Sequence, residues 1–175
     1  MIKTYKNYLP EDFFNRLNTI VSSNEFQWYF SNRTLYKIVN EGSDNFMFTH
    51  KLSDYTKDNP ISSDWFNIFY PFIYFLNKEH KVNNLMRMQL NMYTNQNKKI
   101  QHPAHTDYEE KEGEITKNVK TGVFNFTTCN GGTTIGKKFY KSKANEFHVF
   151  DNDVLHCGTV QTDTQTRIII NINWR

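Results

Sequence analysis

Between Leu85 and Tyr93 the chain alternates strictly. Met86, Met88, Leu90 and Met92 fall on one side of an extended backbone, and Arg87, Gln89, Asn91 and Tyr93 on the other. A period of two cannot form a helical stripe, so this segment is a strand with one apolar face. Further strand-like runs follow at Gly122–Thr128, Glu146–Phe150 and Arg167–Trp174, separated by Asn, Gly, Asp and Thr turn residues. Short strands broken by turns point to an antiparallel sandwich or jelly roll. Gly131 and Gly132 read as turn residues that need a positive φ.

The first half is mixed. Pro10, Glu11 and Asp12 open a helix whose apolar residues Phe13, Phe14, Leu17, Ile20 and Val21 recur at helical spacing. Phe26, Trp28 and Phe30 predict a half-buried strand, with a second strand over Asn45–Leu52. Ser62 or Ser63 with Asp64 caps another helix, whose stripe is Trp65, Ile68, Phe69, Phe72, Ile73 and Leu76. Pro71 falls inside that stripe, so the helix kinks or restarts there. The expectation is one domain over 1–175 of mainly β, α+β class. Helical support spans 1–83, packed on one sheet of a jelly-roll core over 84–175.

Composition excludes several alternatives. The 15 Phe, 10 Tyr and 3 Trp supply a core although the mean hydropathy is −0.72. No apolar run approaches the roughly 20 residues that span a bilayer, and the N-terminus lacks the apolar stretch of a secretory signal. Two cysteines, Cys129 and Cys157, make neither a disulfide framework nor a four-cysteine zinc site, so a reducing, cytoplasmic location is expected. The net charge of +3 comes mostly from scattered lysines in a chain with 22 Asn, 16 Lys and 2 Ala, a skew typical of AT-rich coding. It does not argue for nucleic acid.

Gln101-His102-Pro103-Ala104-His105-Thr106-Asp107 carries the chemistry. In an extended segment His105 and Asp107 point to one face, making two corners of a metal site. The plain alternative is a surface pair joined by a hydrogen bond. His156, after the apolar run Phe147–Phe150 and the turn Asp151-Asn152-Asp153, is the best third ligand. Two His and one carboxylate leave positions open on the opposite side, as non-haem Fe(II) oxygenases require. Arg167 begins the run Arg167-Ile168-Ile169-Ile170-Asn171-Ile172 and, beside such a strand, needs an anionic partner.

The order His-X-Asp, His, then a basic residue resembles the iron(II)- and 2-oxoglutarate-dependent oxygenases. More narrowly, it is similar to their prolyl-4-hydroxylase-like branch, which includes small phage and viral versions. The resemblance runs through Asn7–Glu11, Trp28-Tyr29, Leu90–Tyr93, His105–Asp107, Asn130–Thr133, Phe150-Asp151 and His156 through Asn173. It implies a double-stranded β-helix (a cupin-like jelly roll), with His105, Asp107 and His156 on Fe(II). It further implies that 2-oxoglutarate chelates the iron, pairs its 5-carboxylate with Arg167 and leaves a position for O2. Tyr93 and Asn125 are the expected further cosubstrate contacts. The implied products are succinate, CO2 and a hydroxylated C–H. Many relatives carry a Ser two residues after the basic residue, where this chain has Ile169, so the pocket must be completed differently. The alkylation-repair branch carries a second Arg six residues after the first, where this chain has Asn173.

The leading substrate is a peptide or protein side chain, proline among them. A nucleic acid or small molecule on the same centre, and a binding module that keeps the fold without catalysis, are the alternatives. His102 reads as a loop cap or a support for the ligands, and His50, His80 and His148 as ordinary surface or core residues. Arg87 and Gln89 face either solvent or the iron. Cys157 reads as a small inert residue. Lys111–Lys120 is a candidate lid.

Overall fold

The chain runs β1 (Lys3–Lys6), α1 (Glu11–Val21), β2 (Tyr29–Ser31), β3 (Met47–Asp54), α2 (Phe66–Phe69), α3 (Pro71–Glu79) and β4 (Leu85–Thr94). It continues through β5 (Glu109–Lys111), β6 (Glu114–Ile115), β7 (Lys120–Asn125), β8 (Gly132–Ile135), β9 (Lys138–Lys141), β10 (Glu146–Asp151), β11 (His156–Thr159) and β12 (Thr166–Trp174). The computed structural model describes residues 1–32, 44–55, 57–107, 109–111, 114–115 and 118–175. Residues 111–117 of the expected lid therefore fall largely outside the described side chains.

A seven-stranded antiparallel sheet has the order β1-β10-β7-β12-β4-β3-β2. The three-stranded sheet β11-β8-β9 faces it. The segment 100–105 extends the smaller sheet, because Gln101 bridges Thr159 and His105 bridges His156. Two opposed antiparallel sheets closed in this way make a jelly roll.

The face of the large sheet that carries Met88, Leu90, Phe124, Phe147, Ile170 and Ile172 packs against Leu17 and Val21 of α1, Phe66 and Phe69 of α2, and Phe72 and Leu76 of α3. The opposite face looks between the sheets. Its apolar part, Tyr93, Val123, Phe150 and Ile169, forms a smaller core with Ile135 and Val160. Both faces of β4 are thus covered, so Arg87, Gln89, Asn91 and Tyr93 line the interior rather than facing bulk water.

Pro71 occupies the first position of α3, so the helix restarts there: its missing N–H is not needed in a first turn. Ser63 Oγ accepts the Trp65 N–H at 3.1 Å ahead of α2. Three expectations are corrected. First, of the Phe26–Phe30 run only Tyr29 and Phe30 are strand, in β2. Phe26 turns into the core, while Phe30 lies on β2, the last strand of the large sheet among the described residues, and is 63% exposed. Second, the N-terminal part is not helical support alone, since β1, β2 and β3 join the large sheet. Third, Gly131 and Gly132 do not have positive φ; Gly136 does. They are required by close approach, for a Cβ would lie 2.7 Å from the Thr159 carbonyl at Gly131 and 2.2 Å from the Tyr140 carbonyl at Gly132.

Candidate metal centre

His105 and His156 face each other across two reciprocal backbone hydrogen bonds of 2.9 Å, which bring their rings to 4.4 Å. In each ring Nδ1–H donates to the carbonyl two residues earlier, Pro103 or Val154, at 3.2 Å. A carbonyl only accepts, so both rings carry the proton on Nδ1 and expose the Nε2 lone pair. Asp107 lies on the bend that follows. Its Oδ1 is 3.8 Å from Nε2 of His105 and 3.7 Å from Nε2 of His156, and the three ligand atoms lie within 4.8 Å of one another. His156 Nε2 is buried without a hydrogen-bond partner. An orphaned acceptor beside a carboxylate is the surrounding that a cation fills, so the donor set fits a 2-His-1-carboxylate metal centre.

Asp107 is surrounded by donors: Asn173 Nδ2 at 2.8 Å, Thr121 Oγ at 3.2 Å, Asn171 Nδ2 at 3.4 Å and Arg87 Nη2 at 3.4 Å. Burial alone would raise its carboxyl, but His156, Arg87 and His105 hold it well below the usual range. Burial lowers His156, yet Asp107 outweighs this and leaves its pKa raised. Burial and His156 lower that of His105. Asp107 is therefore held as a carboxylate, the anionic ligand that a cation needs. The side chain of His105 is 26% exposed while those of Asp107 and His156 are 4% exposed, so solvent reaches the centre past His105.

Arg167 is completely buried. Its Nη2 donates to Thr133 Oγ at 2.8 Å, and its guanidinium lies 5.3 Å from the centre of the Tyr93 ring. Nε and Nη1 have no partner. Unmet N–H groups on a buried cation are costly unless an anion arrives. Gly158 shows where it would sit. A Cβ built there meets His102 Nδ1 at 3.4 Å, Tyr93 Oη at 3.6 Å and Arg167 Nη1 at 3.7 Å. These are ordinary contacts, so Gly158→Ala should fold and keep its metal affinity. The methyl nevertheless occupies the space beside the guanidinium, and we expect affinity for a dicarboxylate to fall by about tenfold or more, as loss of one charged hydrogen bond would do. Isothermal titration of the variant with 2-oxoglutarate reads this directly.

Thr133 supplies a hydroxyl to Arg167, but at the Nη2 side and from β8 rather than from the β12 position that Ile169 occupies. A Thr in a short strand carries no sequence signal for this. Asn125 is engaged elsewhere: Nδ2 donates to the Glu146 carbonyl at 3.1 Å and Oδ1 accepts from Ser142 at 3.0 Å. His102 packs against Tyr93 at 5.1 Å, and Cys157 Sγ accepts from Gln101 at 3.3 Å. Arg87 faces Asp107, whereas Gln89 donates to Asn91 at 2.7 Å.

His50 is an ordinary core histidine, bonded to the Gln27 carbonyl and to Ser63. His148 is not. It is buried between the sheets against Tyr140, with Nδ1 on Thr4 Oγ at 3.0 Å and Nε2 without a partner. Burial, and then Arg167, push its pKa from 6.5 down to about 4. Between those values the unfolded chain takes up a proton that the folded chain refuses. This residue's contribution to stability is therefore full above pH 6.5 and is lost with acid, by about 3 kcal/mol in total. His148→Gln should flatten part of that slope, measured as the urea midpoint against pH.

The sequence matches no family profile and no curated protein. Solved structures do match along the whole fold. An oxidoreductase of the 2OG-Fe(II) oxygenase family from Burkholderia pseudomallei superposes with a TM-score of 0.71 at 7% identity, over 99% of this chain and 84% of that one. A viral collagen prolyl hydroxylase from Paramecium bursaria Chlorella virus-1, in complex with 2OG, gives 0.59 at 12% identity over 99% and 94%. A prolyl hydroxylase from Trichoplax adhaerens, bound to a peptide of the hypoxia-inducible factor oxygen degradation domain, gives 0.66 at 12% over 99% and 83%. The chain shares their fold.

Proposed function

We propose that this protein is an Fe(II)- and 2-oxoglutarate-dependent dioxygenase that hydroxylates a C–H bond on a peptide or protein side chain, proline among them. One observation carries the reading. A cluster of His105, Asp107 and His156 with an orphaned Nε2 shares an interior with a fully buried arginine whose Nε and Nη1 lack partners. A metal and a small anion satisfy both deficits at once. The fold shared with prolyl hydroxylases, one of them in a 2OG complex, supports the same reading. A binding module that merely kept the fold has no use for either deficit.

Bound Fe(II) supplies the oxidising chemistry: 2-oxoglutarate, O2 and substrate R–H become succinate, CO2 and R–OH. The chain's own part is positioning and exclusion of water. His105 and His156 would hold the metal through Nε2, each ring aimed by its Nδ1–H bond. Asp107 contributes the charge. Arg167, held by Thr133 and the Tyr93 ring, would receive the distal carboxylate, and Gly158 leaves room for it. Phe150, whose ring lies 4.9 Å from that of His156, belongs to an apolar cluster with Val123, Ile135 and Ile169 that would keep water from that ligand.

Asn173 disfavours the base-repair alternative, because the position of the second Arg in that branch is committed to Asp107. Two buried free cysteines suit a reducing, cytoplasmic setting, and no described helix is long and apolar enough to cross a membrane. Anaerobic titration of the metal-stripped protein with Fe(II) and 2-oxoglutarate tests the reading. A visible charge-transfer band that requires both is expected; folded protein without it would refute the assignment. Mass spectrometry for products 16 Da heavier then finds the substrate.

A further inference from the structure

The three ligands are not held alike. His105 and His156 are locked by their reciprocal backbone bonds, but Asp107 sits outside any strand. Its two oxygens have different surroundings. Oδ1 faces both imidazoles, with Arg87 and Asn171 at 3.4 Å. Oδ2 accepts from Asn173 Nδ2 at 2.8 Å and from the Thr121 hydroxyl at 3.2 Å. The second hydrogen of the Asn173 amide goes to Thr121 Oγ at 3.1 Å, so the pair is braced internally. Asn173 and Thr121 stand opposite each other on β12 and β7, and both are fully buried.

We propose that Asn173 and Thr121 are positioning residues that clamp Oδ2, so that Asp107 presents Oδ1 alone to the metal. The proposal rests on the function given above and deepens it. Its consequence is a count of coordination positions. Two imidazoles and one carboxylate oxygen fill three positions of an octahedral ion. A chelating 2-oxo acid needs two more and O2 needs one. A carboxylate that swung round to bind through both oxygens would take a fourth and leave too few. The clamp therefore keeps the site open enough for both cosubstrates, and it is built on two rigid strands rather than on the loop that carries Asp107.

Wild type, Asn173→Ala and Thr121→Val are compared in two assays on the metal-stripped full chain. One follows Mn(II) binding through the paramagnetic resonance of the free ion. The other follows anaerobic 2-oxoglutarate binding at saturating Fe(II) through the charge-transfer band. Asn173→Ala should weaken Mn(II) by about 10–100-fold, as loss of a partner that orients a ligand does, and Thr121→Val by less. In both variants the Kd for 2-oxoglutarate should rise although Arg167 is intact. A merely structural role would lower the melting temperature and leave both affinities of the folded protein unchanged, which would overturn the proposal. Thr121→Val keeps the side-chain shape and decides the matter if Asn173→Ala does not fold. Wild-type protein that binds neither metal would instead overturn the function on which the clamp depends.

Discussion

Asp107→Ala is expected to abolish Fe(II) binding and, with it, succinate formation from 2-oxoglutarate. Two neutral imidazoles remain, but the negative charge that offsets the cation is gone, and four donors, on Arg87, Asn171, Asn173 and Thr121, then converge on an empty position. Those donors also carry a stability cost, because each buried group left unmet is worth about 1–3 kcal/mol before water enters the gap. The metal-free variant should therefore melt earlier than the metal-free parent. Asp107→Asn separates charge from shape: it fills the space and should still fail to hold Fe(II). Wild-type turnover in either variant would remove Asp107 from the metal centre.

Arg167→Met should leave Fe(II) affinity within a few-fold of wild type and weaken 2-oxoglutarate by about 100–1000-fold. Two charge-assisted hydrogen bonds at about 1.5–3 kcal/mol each account for a loss of that size. The opposite sign is expected for stability. A fully buried guanidinium with two unmet N–H positions is strained without its anion, and a methionine of similar length fills the same space without a charge. Metal-free Arg167→Met should thus be as stable as wild type or more so, measured by urea unfolding without 2-oxoglutarate. If stability falls and the 2-oxoglutarate requirement is unchanged, Arg167 is a structural residue. The two substitutions are complementary, since one is expected to remove the metal and the other only the cosubstrate, although both side chains face one interior.

Strong local patterns were legible in the chain. The Leu85–Tyr93 alternation, the helix opened by Pro10-Glu11-Asp12 and the break at Pro71 each follow from side-chain spacing or from the missing proline N–H, and they survive in the fold. The order His105, Asp107, His156 and Arg167 was equally legible, because metal and anion chemistry restrict residue type tightly. Edges were less so. Phe26, Trp28 and Phe30 look like one strand, yet β3 runs on alone past Tyr29, because Phe26 turns into the core and the Gln27 carbonyl is taken by the His50 ring rather than by a strand partner. Lys3–Lys6 carries no apolar alternation at all, and it forms a strand because β10 offers it an edge.

The sequence by itself determined the period-two architecture and singled out the four residues proposed to meet a metal and an anion. Spacing and donor chemistry are local properties, and they are written in residue order. Only the tertiary structure decided which neighbours complete the site. Thr133 on Arg167, the space at Gly158, and the hold of Asn173 and Thr121 on Asp107 all join strands far apart in the chain. Serine, threonine, asparagine and glycine are common in turns and strands for many reasons. Their role here comes from cross-strand register and from what lies opposite them, which exist only once the two sheets have closed.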